Sequence, residues 1–216
     1  MTERRPTIIG LFAIVAVLAA MATQHSRGAQ SSRKPTGITA AQAAAGFTYD
    51  ASVDAASRQL IESSIAGARP EAQRLIAEID GLTTLSVADT GEDVLGVTHP
   101  VPGGRYSVTL NIGRTFHELG PRGVQRLVLH ELGHVVDFAL VPDALKQQLD
   151  TEIPAGVPCP AGTPLGSCAP RAERFAETFA KWAMFNDIGA SLYIGYAVPP
   201  VGDFDAWAAP LTALPG

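Results

Sequence analysis

Residues 130–134 read His130-Glu131-Leu132-Gly133-His134, and this stretch decides how the chain is interpreted. On an α-helix with 3.6 residues per turn, His130 and His134 lie on nearly the same face. Both imidazoles can therefore reach one metal ion at about 2 Å from each ring nitrogen. Glu131 lies beside them, too far around the helix for easy coordination but well placed to hydrogen-bond a water on that ion. The spacing thus predicts two metal ligands and a catalytic base.

The neighbouring residues predict a buried helix that begins at Gly120-Pro121, since proline in the first helical turn sacrifices no hydrogen bond. Apolar residues then occupy nearly all sides, which is typical of a helix inside a domain. These residues are Leu127, Val128, Leu129, Leu132, Val135, Val136, Phe138 and Leu140. The alternative is that His130 and His134 are core histidines bonded to backbone. The spacing of two histidines around Glu131 favours the metal.

A catalytic zinc takes three protein ligands and leaves one position open, so a third ligand is expected elsewhere in the chain. The metzincin pattern is excluded, because Asp137 and Leu140 occupy the positions of its glycine and third ligand. The better candidate is the segment 171–182, a predicted helix opened by Pro170.

Two glutamates of this second helix, Glu173 and Glu177, lie four residues apart on one face, beside an apolar stripe. Either carboxylate could be the third ligand. The alternative is a solvated helix face on which the glutamates pair with Arg174 or Lys181.

The two motifs together, residues 130–137 and 173–179, resemble the gluzincin metallopeptidases and, more narrowly, catalytic domains of the anthrax lethal factor type. The resemblance covers roughly residues 105 to 185. It implies that Glu173 is the third ligand of Zn²⁺ and that Glu177 accepts a hydrogen bond from a ligand histidine. Asp137, one turn after His134, is a second candidate for orienting a ligand.

The resemblance implies an α+β, zincin-like fold with a small mixed or antiparallel sheet, and a peptide or protein substrate. Glu131 would be the general base that activates a zinc-bound water. The lethal factor pattern has a tyrosine shortly before its glutamate ligand, where this chain has residues 165–168, Leu-Gly-Ser-Cys. The partner of the oxyanion is therefore open among five residues: Arg171, Tyr193, Tyr196, His99 and His117. The absence of this tyrosine supports an alternative function: a non-catalytic zinc-binding scaffold or interaction domain of the cell envelope.

The first residues predict export. Arg4 and Arg5 precede an uncharged apolar run at 8–22 that ends in small residues, which is the layout of a secretory signal. Residues 1–22 are therefore predicted to be a signal peptide or an N-terminal membrane anchor. A flexible linker is predicted at 23–46 and one metallopeptidase domain at 47–216. The domain would be secreted or membrane-anchored, outside the cytoplasm of a bacterial cell.

The cysteines and the charge agree with this interpretation. Cys159 and Cys168 lie in a loop rich in proline and glycine, and we expect them to form a disulfide in an oxidising compartment. Free thiols or a second metal site are the alternatives. The net charge is −5 without a basic stripe, which argues against nucleic acid as a partner.

The remaining periodicity predicts helices at 54–66, 70–79 and 143–151 and strands at 83–88, 94–98 and 106–112. In zincin folds a strand before the zinc helix lines the cleft, and we assign that role, with an open edge, to the strand 106–112. The tail after residue 193 is expected to be irregular.

Overall fold

The computed structural model describes residues 46–91, 94–154, 169–189 and 196–215. Within these ranges the chain forms one four-stranded sheet and six α-helices, so the predicted α+β class is confirmed. Residues 1–22, the predicted linker up to residue 45, and both cysteines lie outside the described residues. None of the helices in the described ranges combines the length and apolar character needed to cross a membrane.

The helices and strands match most of the periodicity in the sequence. The strands are β1 (Thr48–Tyr49), β2 (Thr83–Val87), β3 (Gly96–Val101) and β4 (Arg105–Leu110). The helices are α1 (Ala55–Ala66), α2 (Pro70–Ile79), α3 (Ile112–Leu140), α4 (Asp143–Glu152), α5 (Arg171–Ala183) and α6 (Phe204–Thr212). A 3-10 turn, Asp80–Leu82, joins α2 to β2.

The sheet has the order β1-β2-β4-β3, with β2 parallel to β1 and β4, and β3 antiparallel to β4. The expected open edge at residues 106–112 is wrong, because β4 pairs with a strand on each side. Its alternate residues Val108 and Leu110 are fully buried, and pairing on both sides satisfies the backbone of such a strand. The edge strand beside β4 is β3.

The long helix α3 lies in the centre of the fold and contacts α1, α2, α5, β3 and β4. Its residues from Val124 to Asp137 are almost all buried, as the apolar pattern predicts. A break at Gly120, with φ 68° and ψ −169°, separates the segment that begins at Pro121. Of the helical residues before the break, 112–119, only Ile112 was predicted otherwise, as the last residue of the strand 106–112. This segment is helical because the Asn111 side chain accepts the N–H of Arg114 and caps the helix.

The expectation of an irregular tail is also wrong, since α6 closes the described chain. Asp203 caps this helix by accepting the N–H groups of Asp205 and Ala206. Its buried face consists of Phe204, Trp207, Ala208 and Leu211, and Trp207 packs against Phe175 of α5 at 5.7 Å between ring centroids. The spacing of these four buried residues along the chain is that of one face of a helix. Three prolines near it conceal the signal in the sequence.

Candidate metal centre

Two helices supply the centre, and each carries polar side chains at every fourth residue on one face. On α3 these are Arg126, His130 and His134, and on α5 they are Glu173, Glu177 and Lys181. Arg126 of α3 pairs with Glu177 of α5, and His134, further along α3, pairs with Glu173, which comes earlier in α5. The paired residues therefore run in opposite directions along the two helices. We call this set of six residues the polar ladder.

Three residues of the polar ladder, His130, His134 and Glu173, form a group that could hold a metal ion. Nε2 of His130 lies 3.2 Å from Oε2 of Glu173, and Nε2 of His134 lies 3.4 Å from Oε1. One ligand atom from each of the three residues lies within 4.8 Å of the other two. The imidazoles are buried, whereas the Glu173 side chain is 26% exposed. The structure therefore brings the predicted ligands together, and Glu173 is the most exposed of the three.

Gly133 explains how α5 comes close enough to α3. A Cβ atom at this position would lie 3.0 Å from Cδ1 of Phe179 and 3.3 Å from Cα of Ala176. The second contact is with backbone, which cannot move aside without shifting the helix. The glycine between the two histidines therefore permits the close helix packing that brings Glu173 to them.

Glu177 lies one turn behind the ligands and contacts one of them. Its Oε2 accepts from Nδ1 of His130 at 3.4 Å, which leaves Nε2 of that ring directed at Glu173. Its Oε1 lies 2.7 Å from Arg126 and 3.3 Å from Lys181. Burial raises the pKa of Glu177, but the hydrogen bond from His130 and the charge of Arg126 lower it to about 2.

Sequence reasoning missed Arg126 and considered Lys181 only as a partner of the glutamates on a solvated helix face. Both side chains are almost fully buried, with exposures of 1% and 4%. Arg126 also donates to the backbone oxygen of Asp187, and Lys181 donates to that of Val198. Two spacings in the sequence were available as signals. Arg126 lies four residues before His130, and Lys181 lies four residues after Glu177.

The charges of the polar ladder favour a cation between the imidazoles and Glu173. Burial lowers the pKa of His130, yet hydrogen bonds with Glu173 and Glu177 outweigh this effect and raise the pKa to about 10. Burial raises the pKa of Glu173, but the two histidines bring it well below its usual value. The positive charge that this site favours can be a proton or a metal ion.

Asp137 is engaged with α5 rather than with a ligand imidazole. Its fully buried carboxylate accepts from Arg171, at 2.9 Å to Nη1 and also from Nη2. The buried Nδ1 of His134 has no hydrogen-bond partner among the described residues. Asp137 was expected to orient a ligand. In the structure it instead pairs with Arg171, which lies two residues before Glu173, and so connects the first turn of α5 to α3.

The Glu131 side chain lies against the edge strand β3, and its negative charge also contributes to the raised pKa of His130. Thr98 donates to Oε2 of this carboxylate at 2.8 Å, and Glu131 is only 4% exposed. Gly96 lies against the same side chain, since a Cβ atom there would be 2.7 Å from Cδ of Glu131. Neither β3 residue was singled out in the sequence, because nothing local connects them to residue 131.

The five residues considered for the oxyanion lie in different surroundings. His99 and His117 are exposed, and Arg171 is paired with Asp137. Tyr193 lies outside the described residues. Burial, and next to it the charge of Glu173, raise the pKa of Tyr196, so this phenol lies in the field of the candidate ligand.

No family model matches the sequence, and neither a curated protein nor a solved structure shows significant similarity to the chain.

Proposed function

We propose that the chain is an exported zinc-dependent metallopeptidase that hydrolyses peptide bonds with Glu131 as general base. The observation that carries this proposal is the convergence of His130 and His134 on the two carboxylate oxygens of Glu173, with Glu131 next in sequence to the first histidine. This is the arrangement expected of a zincin-like domain of the gluzincin type, which the sequence motifs resemble. Export rests on the sequence of residues 1–22.

The donor set supports zinc among the metals that the group could hold. Two imidazoles and one carboxylate are a common ligand set of catalytic zinc. Zinc bonds of about 2.0–2.1 Å in a tetrahedron separate neighbouring ligand atoms by roughly 3.3–3.4 Å. The Nε2 to carboxylate distances of 3.2 and 3.4 Å are close to that spacing, although they run to different oxygens of Glu173, and the three ligand atoms lie within 4.8 Å of one another. Calcium and magnesium prefer all-oxygen sites, which this group does not offer.

The chemistry divides between the ion and the chain. When bound, zinc supplies Lewis acidity, which activates water and polarises a carbonyl oxygen. Glu131 accepts a proton from the attacking water and delivers it to the leaving amine, acting as base and then as acid.

The test is the Glu131→Gln variant, assayed on a casein or peptide mixture with and without a chelator. We expect chelator-sensitive cleavage by the unchanged protein. The variant should keep its zinc and lose activity by roughly 100- to 10,000-fold, because the amide cannot accept the proton. Glu71→Gln on the exposed side of α2 is the matched control and should remain active. A fully active Glu131→Gln protein would contradict the proposal.

A second candidate is a zinc-binding scaffold of the cell envelope without catalysis. The observation that favours it is the pairing of Arg171 with Asp137, which removes one of the predicted oxyanion donors from the site. This candidate predicts a full equivalent of zinc and no chelator-sensitive cleavage of any peptide in the mixture.

A further inference from the structure

We infer that Thr98 on the edge strand β3 is a positioning residue that fixes the carboxylate of Glu131 for proton transfer. The inference rests on the proposed peptidase function and identifies a further residue of the same site. The Thr98 hydroxyl lies 2.8 Å from Oε2 of Glu131 and 3.2 Å from the backbone oxygen of the same residue. The shorter contact is a hydrogen bond to a carboxylate, a type stronger than one between neutral groups.

The sheet determines where this hydroxyl lies. Thr98 is directly opposite Val108 in the antiparallel register, and Gly96 is opposite Leu110. Residues directly opposite each other point to the same face, and Val108 and Leu110 are fully buried, so a slip of β3 by one residue would turn Thr98 away from this buried face. The register of β3 therefore holds the Thr98 hydroxyl on the side of the sheet that faces α3.

Gly96 provides the space that this arrangement needs. A Cβ atom at position 96 would lie 2.7 Å from both Cγ and Cδ of Glu131, which is closer than real carbon atoms pack. The carboxylate thus lies between a strand position without a side chain and the Thr98 hydroxyl two residues later. Both contacts come from the same face of β3.

This contact has a consequence for proton transfer. Glu131 is only 4% exposed, so water contributes little to holding its carboxylate in one orientation. The bond from Thr98 holds Oε2, while Oε1 lies against Gly96, where a Cβ atom would clash with it, so both oxygens of the carboxylate are kept in place by β3. A displacement of the catalytic base by about 1 Å lowers the rate on the order of 100-fold, so the loss of this positioning contact should be measurable as a lower kcat.

The experiment compares Thr98→Val, which removes the hydroxyl at nearly constant shape, with Thr98→Ser, which keeps it. We expect Thr98→Val to lower kcat by roughly 10- to 100-fold with KM and zinc content unchanged. Thr98→Ser should restore most of kcat. Thr109→Val on β4 is the matched control, because Thr109 bonds to Ser86 and lies on the opposite face from Val108.

The possible results separate the inference from the function beneath it. An unchanged kcat in a folded, zinc-loaded Thr98→Val protein overturns the inference, as does a serine variant no better than the valine variant. If the unchanged protein holds zinc but cleaves nothing, the proposed function has failed. Should Thr98→Val not fold, Thr98→Cys replaces it, since a thiol of similar size is a weak donor and should also lower kcat.

Discussion

Among single residues, Glu177 shows how the site is supported from behind. It accepts from a ligand histidine with one oxygen and meets two buried cations with the other. A buried charge without a partner costs several kcal/mol, so Arg126, Lys181 and Glu177 depend on one another. The same contacts keep Glu177 ionised and therefore able to accept from His130.

Glu177→Gln should weaken zinc binding by roughly 10- to 100-fold, the usual cost of losing a partner that orients a ligand. The amide is a weaker acceptor for Nδ1 of His130 and leaves the two cations without a compensating charge. A calorimetric zinc titration of the folded variant measures the effect, with Glu71→Gln as control. Unchanged zinc affinity would show that Glu177 serves the fold alone.

The sequence predicts the residues of the site only where the spacing along one helix carries the signal. His130, Glu131 and His134 follow from their separation within α3. Glu173 and Glu177 follow from their separation within α5, with the resemblance assigning their roles. Thr98 and Arg126 could not be assigned, because each acquires its role from a partner on another element. Lys181 was considered only as a partner of the glutamates on a solvated face, since its burial and its bond to the backbone oxygen of Val198 depend on residues outside α5.

Among the elements, the packing of α3 on α5 determines the position of Glu173. Gly133 lies at the closest approach of the two helices, against Phe179 and the backbone of Ala176. Gly133→Leu should push α5 outwards and reduce zinc affinity by at least 10-fold, because the carboxylate would no longer reach both imidazoles. Zinc titration, together with circular dichroism to verify folding, measures this change.

The matched control is Gly113→Leu in the same helix, where a Cβ atom would meet nothing within 4 Å. Both changes replace a helical glycine by a better helix former, a gain of about 1 kcal/mol, so they differ in the space available. Equal zinc affinities in the two variants would refute the role given to the α3 and α5 contact.

The bounds of α2 and the extent of α5 agree with the sequence, because proline opens each helix and the apolar stripe is regular. The edge position of β3 could not be predicted, since strand order depends on pairing between residues distant in the chain. In α6, Pro210 and the nearby Pro199 and Pro200 obscured a helical pattern that the Asp203 cap starts.

In the molecule as a whole, the three residues that could hold a metal ion lie where the central helix meets α5, on which α4 and α6 also pack. A metal ion bound there connects elements far apart in sequence, so binding should stabilise the fold by mass action.

The most direct test is the zinc content of the purified protein, measured by elemental analysis beside Glu173→Gln and Glu71→Gln. We predict one equivalent of zinc per chain in the unchanged protein and in Glu71→Gln, and a loss of zinc in Glu173→Gln. A protein without zinc, or a Glu173→Gln variant that retains the full equivalent, would contradict the convergence of the two histidines and Glu173 on one ion.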